Sequence, residues 1–238
     1  MQRYFARVEN QQVILNSDDI FHLTRVMRVR VDDKIEVVAK QKLYLALVKS
    51  LDPLKIEIIN ELTSKCELLN KITLYYVMAK GDKTDLVVQK ATELGVHKII
   101  LLQSRRSVVQ IDSRKVSSKL ERYNKIAKEA SEQAKRLIVP KIEMALDFQT
   151  ITLADEDIKL IADEDQVGGT TLLYKQLDEI KDQSIGLLVG PEGGFEREEV
   201  ALAQDHGFKV LGLGSRILRS ETAAIVFVGT VSSYLERL

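Results

Sequence analysis

Apolar positions along the chain change their spacing near residue 70. Before it, short runs of β-type residues cover 3–8, 12–15, 34–38, 44–50 and 55–60. Turn residues separate them, at Glu9-Asn10, Asp32-Asp33 and Asp52-Pro53. Short strands at this spacing predict a small barrel. The exception is 18–29, where Ile20, Leu23, Val26 and Met27 repeat at helical spacing behind a candidate cap at Ser17.

Beyond residue 70, strand-like and helix-like segments alternate. Strands are predicted at 72–79, 98–103, 159–162, 185–189 and 209–213. Helices are predicted at 84–94 (closed by Gly95), 113–134, 171–180, 197–205 and 221–235. In the helix 113–134, Val116, Leu120, Tyr123, Ala127, Ala130 and Ala134 fall at steps of four and three. This alternation predicts an α/β domain with a mostly parallel sheet. The reading gives two domains, 1–66 and 72–238, joined by a linker at 67–71. The last helix carries Ala223, Ala224, Ile225, Phe227, Val228 and Val231 nearly all around its circumference. That is more apolar surface than one domain face needs, and it predicts a homodimer contact.

Two of the predicted strands run straight into glycine-rich turns that precede helices. The first turn reads Gly190-Pro191-Glu192-Gly193-Gly194-Phe195. The second reads Gly212-Leu213-Gly214-Ser215-Arg216-Ile217-Leu218-Arg219. Loops at the carboxyl ends of neighbouring parallel strands are where α/β proteins place ligands, and glycines let a ligand approach the main chain. The pair therefore marks one composite site. The first turn lacks the Lys-Ser/Thr ending of a phosphate-binding loop, and Ile217 stands where a dinucleotide fingerprint needs its third glycine.

Charge and composition narrow the chemistry. The 238 residues carry no formal net charge, but the distribution is uneven. Residues 103–141 hold 11 Lys/Arg against 4 Asp/Glu, whereas 143–199 hold 4 against 15. A basic face of this kind suits either a nucleic acid or solvent. Cys66 is alone, and His22, His97 and His206 lie far apart, so neither a disulfide framework nor a metal site is expected. No run approaches the ~20 apolar residues of a membrane span, and no signal pattern opens the chain, so a cytoplasmic protein is expected.

Gly190–Phe195, followed by the stretch from Leu213 through Arg216-Ile217-Leu218-Arg219 to Glu221-Thr222-Ala223, resembles the bacterial 16S rRNA (uracil-N3) methyltransferase family of the SPOUT class. The segments His22-Leu23-Thr24-Arg25-Val26-Met27-Arg28, Lys80-Gly81-Asp82-Lys83, Gln89-Lys90-Ala91-Thr92-Glu93-Leu94-Gly95-Val96, Ser104-Arg105-Arg106-Ser107 and Glu132-Gln133 with Arg136 and Pro140 fit the same family in order and spacing. Departures are Lys40-Gln41 in place of an Asp-Gly turn, Ala134-Lys135 in place of a small polar pair, and Glu196 at a helix start.

The resemblance implies a PUA-like barrel followed by a knotted SPOUT domain, working as a homodimer. It implies S-adenosylmethionine as cofactor, held by Gly190, Pro191, Glu192, Gly193, Leu211, Gly212, Ile217, Leu218, Thr222 and Ala223. The reaction would be methylation at N3 of a uridine in 16S rRNA, within the small ribosomal subunit. N3 must lose a proton as it attacks. Arg219 then either stabilises charge on the uracil oxygens or pairs with Glu221. Glu221 is either a general base or a helix cap. Arg106 and Arg136 are either phosphate or uracil contacts or part of a solvated basic face. His22, Arg25 and Arg28 are candidate RNA contacts in the first domain, with a structural role equally open for His22. Two other functions remain: methylation of a different RNA position, in tRNA or on a ribose 2′-hydroxyl, and a non-catalytic assembly factor that only binds RNA.

Overall fold

A computed structural model of the chain describes residues 1–107, 109, 112–166 and 170–237. The chain divides into two compact units. The first comprises Met1–Glu67 together with Ser131–Ile138, and the second comprises Leu68–Ala130 together with Val139–Leu238.

Six strands build the first unit: β1 (Arg3–Phe5), β2 (Arg7–Glu9), β3 (Gln12–Ile14), β4 (Lys34–Ala39), β5 (Lys42–Leu51) and β6 (Leu54–Leu62). Their order in the sheet is β1-β4-β5-β6-β3-β2. Only Ala6 separates β1 from β2, yet they occupy opposite edges of the sheet. One residue spans so little distance that the sheet must curl until its edges meet. Tyr4, Leu23, Val37, Ala46 and Val48 fill the interior. The two-residue turns Asn10-Gln11 and Lys40-Gln41 have positive φ at both positions. This is the hairpin turn that matches strand twist, adopted here without glycine.

The first unit departs from its sequence reading in two places. The single strand expected over 3–8 breaks at Ala6, because β1 pairs with β4 and β2 with β3. The helix expected over 18–29 is shorter. It begins as α1 (Ser17–Phe21), capped by Asn16, whose side chain accepts from the Asp19 amide at 2.8 Å. It then widens into a π-helical turn at His22–Val26. That wider turn buries Leu23 but leaves Val26 and Met27 exposed.

The second unit is a parallel sheet of β7 (Ile72–Val77), β8 (Lys98–Leu102), β9 (Lys141–Ala145), β10 (Ile158–Ala162), β11 (Ile185–Val189) and β12 (Phe208–Leu211). Its order is β12-β10-β11-β7-β8-β9. The helices are α2 (Lys83–Glu93), α3 (Val116–Gln133), α4 (Thr170–Asp178), α5 (Arg197–Asp205) and α6 (Ser220–Leu235). Both sheet faces are covered, so β7 and β11 are buried at every residue. Along β7, Ile72, Leu74 and Tyr76 join one core, while Tyr75 and Val77 join the other. The sequence reading assigns no element to β9. This edge strand interrupts its apolar residues Ile142 and Met144 with charges, which obscures it.

α6 spends most of its apolar surface internally. Ala224, Phe227, Val228 and Val231 are buried within the second unit, and Val226 is the exposed large apolar residue on the helix. The apolar surplus on which the dimer expectation rests is therefore smaller than the sequence suggests. No helix among the described residues is long and apolar enough to cross a membrane.

Candidate active site

Strand register determines where the site forms. Ala162 of β10 pairs with Val189 of β11 on one side and with Leu211 of β12 on the other. The three strands therefore end level, and the next residues, Asp163, Gly190 and Gly212, open three loops side by side. A cavity of ≈ 280 Å³ lies among these loops. Its lining comes from Ala162–Gln166 except Asp165, from Val189–Phe195 except Gly193, and from Gly212–Ser220 with Ala223. The position fits the rule that ligands sit outside the carboxyl ends of parallel strands, where strand order reverses.

The first loop is held tightly. Gly190 has no room for a side chain, since a Cβ there would lie 2.9 Å from the Phe195 ring. Its carbonyl accepts a hydrogen bond from the Ser220 hydroxyl at 2.6 Å. Ser220 in turn lies 3.2 Å from the Tyr76 hydroxyl. Burial pushes the Tyr76 phenol up, which keeps it a donor. Glu192 accepts from Lys83 at 3.1 Å. Burial opposes its ionisation, but its backbone hydrogen bond and Lys83 outweigh burial and hold its carboxyl below the ordinary range. On the loop's other side, Arg106 donates to the Gly193 carbonyl at 3.1 Å and Arg105 to Glu196 at 3.2 Å.

The second loop contrasts with it. Ser215, Arg216 and Arg219 are exposed, and Ile217 is 84% exposed. Gly214 has φ +123° and open space around it, a backbone that L residues rarely adopt. Arg219 does not pair with Glu221. It caps α6 through its carbonyl, which accepts from the Ala223 amide at 2.8 Å. Glu221 faces Lys83 at 3.5 Å, in the first turn of α6.

The structure adds a third loop to the two that the sequence marks. Asp163 donates its amide to the Leu211 carbonyl at 2.9 Å and is buried against Arg197 at 3.0 Å. Glu164 stays exposed with its carboxylate over Gly194. The available signal was the acidic run straight after a predicted strand.

Among the residues expected to hold a cofactor, Gly190, Pro191, Glu192, Gly212, Ile217, Leu218 and Ala223 line the cavity. Three do not. Gly193 turns its Cα toward Arg106, with an added Cβ meeting only ordinary contacts at 3.6 Å. Leu211 is core. Thr222 is exposed one helical position away from the lining residue Ala223.

The expected RNA contacts differ in their surroundings. Arg136 is 3% exposed, in the first unit, and its guanidinium is 2.8 Å from Glu67. Glu67 also accepts from the amides of Leu137 and Ile138 at 2.7 and 3.1 Å. This guanidinium is enclosed and paired with Glu67, which favours a structural role. His22 is half-buried, with Nδ1 2.9 Å from the Tyr4 hydroxyl. Arg25 and Arg28 are exposed. Arg106 is exposed beside the first loop of the second unit.

A comparison with known proteins agrees with this geometry. Residues 66–232 match the RNA methyltransferase domain family, and residues 15–59 match the RNA methyltransferase PUA domain. The chain belongs to the RNA methyltransferase family. Ribosomal RNA small subunit methyltransferase E of Bacillus subtilis is 34% identical over 100% of this chain and 98% of its own. The crystal structure of the protein of that name from Neisseria gonorrhoeae, bound to S-adenosyl methionine, superposes with a TM-score of 0.84 at 29% identity. That match covers 98% of this chain and 97% of the other. A putative methyltransferase from Legionella pneumophila, solved with bound cofactor SAM, gives 0.86 at 28% identity, covering 97% and 96%. The methyltransferase domain thus contains the three-loop cavity, and the N-terminal sheet corresponds to the PUA domain.

Proposed function

We propose that this methyltransferase transfers a methyl group from S-adenosylmethionine to N3 of a uridine in 16S rRNA of the small ribosomal subunit. The cavity at the level ends of β10, β11 and β12 carries the cofactor half of this reading. It combines main-chain groups of the glycine loops with an apolar lining from Val189, Leu213, Leu218 and Phe195. An adenosine needs both. The relatives named above, two of them solved with the cofactor, support the same conclusion.

When bound, the cofactor supplies an electrophilic methyl on a sulfonium. The protein supplies position and charge. Arg219, exposed at the cavity wall, stabilises negative charge on the uracil oxygens as N3 gives up its proton. Glu221 lies outside the cavity lining and faces Lys83. That arrangement favours a role at the helix start over that of general base. Arg106 meets the RNA backbone beside the first loop, and Arg25 and Arg28 do so on the PUA domain. The working form is a cytoplasmic homodimer with a trefoil-knotted catalytic domain.

The deciding experiment is methyl transfer to 30S subunits that lack the modification, with mass spectrometry of the product nucleoside. 3-Methyluridine is expected. A 2′-O-methyl product, or activity on tRNA alone, would replace this reading with another RNA target. Cofactor binding without any transfer would favour an assembly factor.

A further inference from the structure

Lys83 opens α2 and belongs to no cavity wall, yet it touches two elements that do the work of the site. Its ammonium lies 3.1 Å from Glu192 on the first glycine loop and 3.5 Å from Glu221 in the first turn of α6. The Ser220 hydroxyl makes a second tie between the same two elements, by donating to the Gly190 carbonyl at 2.6 Å. The loop is thus fastened to α6 at both its start and its middle. Only the middle fastening depends on a residue from a third element. The Glu192 carboxylate is taken up by Lys83, the first residue of α2. It is therefore committed to α2, and the loop's main chain is what remains to meet a ligand.

We infer that Lys83 is a positioning residue: by bridging Glu192 and Glu221 it fixes the first glycine loop in the shape that receives the cofactor. The inference rests on the cofactor reading above for its binding consequence. The fastening itself can be tested without any ligand. Hydrogen exchange of the amides of Gly193, Gly194 and Phe195 is measured in the ligand-free protein. Calorimetry with S-adenosylmethionine is run in parallel.

Lys83→Met is expected to speed exchange in the loop and to weaken cofactor binding about fivefold, the scale of a partly exposed ion-pair network. The KM for the cofactor should rise while kcat changes less than about twofold. Lys83→Arg should restore both. In a Glu192→Gln background, Lys83→Met should have little further effect, since the partner is already gone. Independent, multiplicative losses in the double variant would overturn the inference. So would unchanged loop exchange, or a loss of RNA affinity with cofactor binding intact. If the wild type binds no cofactor while Lys83→Met still loosens the loop, the cofactor reading fails and the fastening stands.

Discussion

The two glycine loops read alike in sequence and are built differently. The first is gripped from α6, from α2 and from the loop after β8, through Ser220, Lys83, Arg105 and Arg106. In the second, the side chains of Ser215, Arg216 and Arg219 make no hydrogen bond or ion pair among the described residues. The difference separates two tasks. A loop that presents main-chain groups to a ligand works best when its shape is set in advance. A loop whose side chains must meet a second substrate keeps them uncommitted. Substitutions in the first loop should therefore register as stability or cofactor affinity, and those in the second as turnover.

The largest expected effect is a reference outside both loops. Arg136→Ala leaves Glu67 without its cation and should cost about 3 kcal/mol of stability, read by urea unfolding. An unchanged midpoint would show that the pair with Glu67 contributes nothing to the fold. Within the comparison, Arg219→Ala should lower kcat ~100-fold with little change in unfolding or cofactor affinity. A variant that lost stability instead would erase the contrast between the loops. Gly190→Ala should do the reverse, costing about 1–3 kcal/mol because its Cβ meets the Phe195 ring. Gly193→Ala, three residues on, should stay within about 0.5 kcal/mol. Equal effects at the two glycines would show that steric fit does not govern the first loop.

Smaller effects sharpen the picture. Arg106→Ala should make the salt dependence of RNA binding shallower by about one unit while sparing cofactor affinity. The smallest effect concerns pH. Glu192 ionises below its ordinary value of 4.5, so its contribution is fully present above that pH and is lost as pH falls through the lower folded value. Exchange protection of the first loop should fall on acidification below pH 4.5, and Glu192→Gln should remove that fall. Glu36, also held low, acts in the first unit, so a local readout is required rather than a global melting point.

Much of this was legible in the sequence. Strand–helix alternation beyond residue 70 gives the parallel sheet, because strands covered on both faces read as continuous apolar runs such as Ile185–Val189. Both glycine turns mark the cavity. What escaped depends on partners distant in the chain. Nothing near Arg136 shows that Glu67, 69 positions away, will enclose it. Nothing near Glu192 points to Lys83, 109 positions earlier. Asp163–Gln166 reads as an acidic surface until the sheet order brings β10 between β11 and β12. The π-helical turn at His22–Val26 escaped as well, since apolar spacing assumes a regular helical period that the chain abandons there.

Level strand ends constrain how such a chain can change length. Ala162, Val189 and Leu211 share one row of the sheet. Deleting a residue inside any of the three strands would draw its loop back by one row and turn every following side chain toward the opposite core. In β11, buried at every residue, no solvent side is available to absorb the slip. Additions in the three loops leave the row intact. Natural variants of this site should therefore differ in loop length and almost never in strand length, and grafts that alter substrate choice belong after Ala162, Val189 and Leu211, never before them.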